Sequence, residues 1–409
     1  MGSDGKTTQF YFDTSDQLRF YDNFNNVSDV KTNRVFRDNS AFYNIILAVD
    51  YTQSTNSNRV KIIVNGEQET SLATSTYANQ NDNITALQQN RGIILGVNEN
   101  TGGTKYGYFN GYMSEFVFLD GIAADQTSFG EVDSDSGIFK PIDVSGLTFG
   151  TNGFYLDFED SSALGNDKAG SNNFTVNNLT AIDQSIDTCT NNFATMNPLD
   201  NFHQGTAFSE GNLKLVYTSG NRTWNTCNVA LSSGKWYCEI LKGETNNDKI
   251  GIHYKLSAGL TDRADSDGGA WSYLGGKNAD DGGVKTGGST ITYTIAPSDS
   301  GDIVGIFLDL DNNKLYFSVN GTVAHSSVGI DIPAASTLEN GHYYIFGGSS
   351  NTSETMTHTW NFGSPAVALS SGVTDANGFG NFEYTPSGTF DSASKDFLAI
   401  CTKNLAENS

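Results

Sequence analysis

The chain has 409 residues, room for about two or three domains, and sets 46 acidic against 23 basic side chains for a formal charge of −23. That field repels nucleic acid and anionic lipid, which excludes roles resting on either. With 26 Phe, 18 Tyr and 44 Gly but 6 Pro, and no sustained 3.6-residue apolar period, the composition predicts an all-β protein of short strands and tight turns.

In chain order, residues 10–20 predict a hairpin with a polar turn at Asp13–Asp16, and Ala41–Asp50 an apolar strand. Arg59–Val64 alternates apolar and polar residues into Asn65-Gly66, a pair suited to a tight hairpin turn. Further strands are expected over Gly92–Val97, Tyr108–Leu119 and Gly146–Phe158. The clearest element is Gly301–Gly321, GDIVGIFLDLDNNKLYFSVNG. Both alternating sets of its first strand are apolar, Asp311-Asn312-Asn313 supplies a turn, and Lys314–Val319 runs back to Asn320-Gly321. A hairpin buried on both faces predicts one layer of a two-sheet sandwich. Such a hairpin is scaffold, so function falls to the loops around it.

The four cysteines, Cys189, Cys227, Cys238 and Cys401, have no C-x-x-C spacing and no His at finger distance, which argues against structural zinc. Cys238 sits in an apolar strand as a small hydrophobe. A Cys227–Cys238 bridge stays open at this point. No apolar run nears the ~18 residues of a membrane helix and no leader pattern opens the chain, so it reads as neither membrane-inserted nor self-secreted. There is no P-loop, no strand-borne G-x-G-x-x-G and no Lys/Arg cluster.

Glycoside hydrolysis needs two acids roughly 5–9 Å apart, and the chain offers two carboxylate pairs for it. Glu115 and Asp120 have odd separation and point to opposite strand faces; Asp157 and Glu159 share a face but read as solvated strand-end acids. Metal binding suits the acids better. Asp133-Ser134-Asp135-Ser136-Gly137 alternates oxygen ligands before a Gly, although Val144 stands where an EF-hand needs its distal acid. Asp160, Asn166 and Asp167 form a second oxygen cluster. Asp133, Asp135, Asp160 and Asp167 are therefore candidate Ca²⁺ ligands, with hydrated turns as the alternative; no other cofactor is implied. Asp265–Gly269 is a third such turn. His203, His253, His325, His342 and His358 are scattered, and none accompanies a nucleophile elbow. Trp271 and Tyr273, followed by a loop carrying Asp281, have the composition of a sugar site: aromatic faces for C–H stacking and a carboxylate for hydroxyls. The alternative for Trp271 is a core position, which the strand patterns favour for Trp236 and Trp360.

Ile63-Val64-Asn65-Gly66 followed by Gly107–Gly121, GYFNGYMSEFVFLDG, resembles the concanavalin A-like, laminin-G-like lectin sandwich. That pattern opens here near its middle, implying a shortened start or strands supplied by another chain. Residues 120–135, Gly150–Phe158, Leu164–Lys168, Asn177–Leu179 and Asn191–Leu199, with the ending GFGNFEYTPSGTF and LAICTKNLAE, resemble structural proteins of marine tailed bacteriophages. Gly234–Ile240 (GKWYCEI), Ile250–Ile252, Trp271–Tyr273, Asp302–Gly321 and Trp360–Gly363 follow the order of a SPRY domain, a bent β-sandwich that binds partners through loops.

These resemblances imply two jelly-roll-like sandwiches, over 1–199 and 200–365, with a short C-terminal extension over 366–409. They imply a non-enzymatic virion protein, a tail or head fibre or adhesin that binds host-surface glycan or a protein receptor. It would be a homo-oligomer, a trimer, in contact with other virion proteins. A capsid decoration or joining protein is the alternative, and a polysaccharide-degrading enzyme a more distant one.

Overall fold

A computed structural model describes residues 6–38, 41–84, 92–100, 102–134, 137, 139–202, 205–218, 223–243, 248–256, 269–275, 283–286, 289–291, 293–349 and 355–408. The chain is all-β and divides into two compact units, Met1–Leu179 and Thr180–Ser409.

In the first unit, β1 (Thr8–Phe12) and β2 (Gln17–Asp22) form the expected hairpin. The Asp13 carboxylate closes its turn by accepting the backbone N–H groups of Ser15 and Gln17 at 2.8 and 3.2 Å. Next come β3 (Ser28–Val35), β4 (Ile45–Val49), β5 (Val60–Val64), β6 (Glu67–Gln68) and β7 (Leu72–Thr76). Strand order is β1-β2-β3-β7 in one sheet and β4-β5-β6 in the other. Leu18, Phe20 and Val30 from the first meet Val60, Ile62 and Val64 from the second in a shared core. The β5–β6 turn is Asn65-Gly66, both residues left-handed (φ 51° and 81°), as a two-residue hairpin turn requires.

The rest of the unit is built from short ribbons: β8 (Asn98–Glu99) with β9 (Lys105–Tyr106), β10 (Phe116–Phe118) with β13 (Phe154–Leu156), and β11 (Gly130–Val132) with β12 (Phe139–Pro141). The strand expected over Gly92–Val97 does not form, and of Tyr108–Leu119 only β10 is strand. Gly107 and Glu115 take left-handed backbone angles (φ 61° and 53°), which breaks an extended run.

The second unit begins with β14 (Met196–Phe202), β15 (Thr206–Ser209), β16 (Lys214–Tyr217), β17 (Thr223–Cys227), β18 (Lys235–Lys242) and β19 (Asp248–His253). It continues through β20 (Ala270–Gly275), β21 (Val284–Thr286), β22 (Ser289–Ile291), β23 (Ile303–Asp309) and β24 (Lys314–Val319). Last come β25 (Thr322–Val323), β26 (Ile330–Asp331), β27 (Tyr344–Ser349), β28 (Met356–Asn361), β29 (Ser387–Phe390), β30 (Ala393–Asp396), β31 (Leu398–Ala399) and a terminal helix, α1 (Thr402–Asn408). One sheet runs β14-β17-β27-β19-β20-β21-β22 and the other β15-β16-β28-β18-β23-β24-β25, with β26 and β31 added to it. Trp236, Cys238 and Ile240 of β18, with Ile306 and Phe317, face Ile250, Ile252, Tyr273 and Ile345 across the sandwich.

The opposite face of the second sheet is buried too. Tyr237, Phe307 and Tyr316 pack under Phe382, Phe390 and Phe397 from the C-terminal segment. The segment carrying Phe382, Phe390 and Phe397 is thus a third layer rather than an appendage, while β31 joins the second sheet itself as a parallel strand beside β18, with Leu398 and Ile400 in the inter-sheet core. The β23–β24 hairpin is buried on both faces for this reason: one face meets the partner sheet, the other this cover. β14 lies in the second unit's sheet, so the division falls at Leu179–Thr180, ahead of the 199/200 boundary read from sequence. Cys227 and Cys238 are buried free thiols. No helix among the described residues is long and apolar enough to cross a membrane.

Candidate recognition surface

The densest exposed aromatic segment of the first unit is Lys105–Met113, KYGYFNGYM. It leaves the β8–β9 ribbon, whose turn is closed by Asn100: its Oδ1 accepts the backbone N–H groups of Gly102 and Thr104, each at 2.9 Å. The Phe109 N–H donates to the Gly96 carbonyl at 2.7 Å, folding the segment back over that ribbon. Gln9 Nε2 donates to Asn98 Oδ1 at 3.0 Å, which ties the ribbon to β1. Phe109 then stacks on Phe12 (centroids 6.5 Å, planes 24° apart). Phe12 meets the edge of Phe36 at 5.3 Å, and Phe36 that of Tyr43 at 5.2 Å. Phe36 and Tyr43 pack on the core, so a row of rings runs from the core rim into solvent.

Tyr108 is 70% exposed, and Phe12, Tyr106, Phe109, Tyr112 and Met113 are exposed beside it in sequence or space. Aromatic faces carrying hydroxyls, next to the amides of Asn98 and Asn110, suit the C–H face of a sugar or an apolar side chain. The sequence reading passed over these residues by treating them as strand. Rings separated by Gly without two-residue alternation were the signal against that.

The nominated residues fall elsewhere. Trp271 and Tyr273 do share a face of β20, but that face is the sandwich interior: they are 7% and 0% exposed. Trp271 packs edge-on to Tyr343 at 6.0 Å, and the Tyr273 hydroxyl donates to the Ala296 carbonyl at 2.8 Å. They are core residues, correcting the sugar-site reading. Asp281 and Asp135 lie outside the described residues, as do residues 265–268 and His203.

Three of the four calcium candidates lie among the described residues, and each already has partners there. Asp133 is ion-paired with Lys140. Asp160 is exposed, and its Oδ1 accepts the N–H and hydroxyl of Ser162 at 2.9 and 2.6 Å. Asp167 is buried and accepts the N–H groups of Tyr155, Ala169 and Asn172, each at 2.9 Å. Burial opposes its charge, yet these backbone donors outweigh burial and hold the carboxyl below its ordinary pKa. Asp167 is a loop clamp. Among the described residues no group of three or more His, Cys, Asp or Glu could hold a metal ion.

The acid pairs are equally committed. Lys168 Nζ bridges Asp157 (3.1 Å) and Glu159 (3.2 Å). Between them Phe158 is left-handed (φ 57°), so strand alternation does not govern where the two point. Glu115 accepts the hydroxyl of Tyr155, whose pKa is pushed up by burial first and by that carboxylate second. His253 is buried, with Nδ1 accepting the Lys255 N–H at 2.8 Å and its ring 5.2 Å from that of Trp224.

No protein-family model and no curated protein matches the chain. Among solved structures it is similar to the SPRY domain of human HERC1, at 16% identity and TM-score 0.33, over 40% of this chain and 96% of that one. It is also similar to the TRIM65 PSpry domain, at 15% identity and TM-score 0.31, over 41% and 91% respectively.

Proposed function

We propose that this chain is a non-catalytic virion structural protein of a tailed bacteriophage, a fibre or adhesin that holds host-surface glycan on the ring row of its first unit. In this reading the second, SPRY-like unit is a rigid platform contacting neighbouring virion proteins. The observation carrying it is the stack of exposed Phe109 on exposed Phe12, with the exposed rings of Tyr108 and Tyr112 beside Phe109 in the chain; the carboxylates Asp157 and Glu159 are held by Lys168 and Glu115 by Tyr155. The phage-like motif order of the sequence agrees with it. Sites of millimolar strength, about 4 kcal/mol each, become useful when a trimer or an array of copies engages together.

The test is adsorption competition with the purified full chain. Excess protein that lowers particle attachment to host cells supports the adhesin. Protein that binds particles and leaves attachment unchanged moves the assignment to a decoration or joining protein. Loss of polysaccharide viscosity on mixing reinstates a depolymerase.

A further inference from the structure

The cover over β23 and β24 encloses a lysine, two aspartates and a tyrosine that the binding role does not use. Lys395 Nζ lies 2.8 Å from Asp309 Oδ2, across 86 residues of chain. Asp309 is fully buried and the Lys395 side chain nearly so. The other oxygen of that carboxylate, Oδ1, accepts the Asn312 N–H at 3.0 Å, and the Asn312 side-chain amide spans both oxygens, 3.0 Å from Oδ1 and 2.9 Å from Oδ2. Lys395 Nζ also donates to the Tyr316 hydroxyl at 2.7 Å, and Tyr316 in turn donates to Asp391, itself 3.7 Å from Nζ. Phe307, Phe390 and Phe397 close around the group, all buried, with ring centroids 4.9–5.1 Å apart. Asp391 occupies a left-handed turn position (φ 49°), an uncommon conformation for a non-glycine, and the Gly329 N–H fixes its Oδ1 at 3.0 Å.

A buried ion pair alone is weak evidence of anything beyond packing. Here the pair has the additional parts that amide formation needs: a water-excluding aromatic shell, donors on the oxygen that gathers charge, and a relay for the second proton. We propose that the Lys395 amine condenses with the Asp309 carboxyl to give an intramolecular isopeptide bond that locks the C-terminal hairpin onto β23. One proton passes from Nζ to Oδ2 along their hydrogen bond, neutralising both groups. The nitrogen lone pair attacks Cγ, forming the C–N bond and placing charge on Oδ1 beside the Asn312 donors. The nitrogen then gives up a second proton through the Tyr316 hydroxyl to Asp391, which returns it to Oδ2. The Cγ–Oδ2 bond breaks and one water leaves. An ammonium and a carboxylate become an amide plus water, with no oxidant, reductant or co-reactant.

Intact mass spectrometry of the denatured full chain decides it without any variant. The expected result is a chain lighter than its sequence by one water, with a branched proteolytic peptide joining the Asp309 and Lys395 segments. Asp391→Asn keeps the size of the side chain and removes the proton acceptor, and it is expected to restore the full mass. Asp309→Ala is expected to do the same. Wild-type chain of full sequence mass after prolonged incubation overturns the proposal, leaving Lys395 and Asp309 an ordinary buried ion pair. A mass deficit that persists in Asp309→Ala also overturns it, by placing the loss elsewhere.

Discussion

Glu239, in the middle of β18, accepts the backbone N–H of Tyr384 at 2.8 Å and that of Glu383 at 2.9 Å, across more than 140 residues of chain. The Tyr237 hydroxyl (2.9 Å) and the Asn361 amide (3.2 Å) complete the shell. Burial, the largest influence, pushes its pKa up against these four donors. One carboxylate therefore pins the C-terminal cover to the sheet it shields. Glu239→Gln places an amide NH₂ against one of the two backbone donors and leaves buried groups unsatisfied. The expected loss is about 2 kcal/mol in the second unit, read by urea unfolding. Deleting 366–409 uncovers Tyr237, Phe307 and Tyr316 together, and that chain is expected to be insoluble or to bind a hydrophobic dye.

Asp187 gives a pH signature. Burial raises its carboxyl to about 6, with the Phe193 N–H at 2.8 Å working the other way. A carboxyl raised from 3.8 in the folded state makes its full contribution to stability below that value and loses it as pH climbs through about 6. At about 1.4 kcal/mol per unit, the loss is on the order of 2–3 kcal/mol. Asp187→Asn keeps an acceptor and carries no charge. Unfolding curves at several pH values are expected to show the variant level with wild type near pH 4 and more stable near pH 7.5.

Gly66 is required twice over. Its φ is +81°, and a Cβ there would stand 2.5 Å from Cδ2 of Phe139. Gly121 has a similar φ, +84°, but open space around it. Gly66→Ala is expected to cost roughly 2–3 kcal/mol and Gly121→Ala about 1, because only the first combines left-handed strain with overpacking. Thermal unfolding of the two variants checks the difference.

Trp271→Ala tests the corrected placement. A core tryptophan truncated to alanine costs about 3–5 kcal/mol, whereas an exposed stacking residue costs little. The expected outcome is a large fall in the unfolding midpoint.

How far the fold could be read ahead depended on whether the deciding contact was local. The β23–β24 hairpin and its turns were legible because Asn-Gly pairs and two-sided apolar alternation are local facts; Asn320 and Gly321 are indeed left-handed (φ 49° and 75°). That Trp271 and Tyr273 share a face was equally legible from spacing. Which way that face points depends on a second sheet strands away in sequence. The cover over 366–409 was missed for the same reason, although an acid inside the apolar run WYCEI was a hint that something distant must satisfy Glu239. The ring row was missed because Phe12 and Phe109 meet across nearly a hundred residues. Asp157 and Glu159 were paired on strand alternation that the left-handed Phe158 interrupts.

The central claim is recognition by the exposed rings of the first unit, and host-cell binding by the combined Tyr108→Ala, Phe109→Ala, Tyr112→Ala variant tests it most directly. The account predicts an unfolding midpoint close to wild type and loss of most cell binding, tenfold or more for each ~1.4 kcal/mol of stacking removed. A variant that folds normally and binds host cells as wild type does would contradict it.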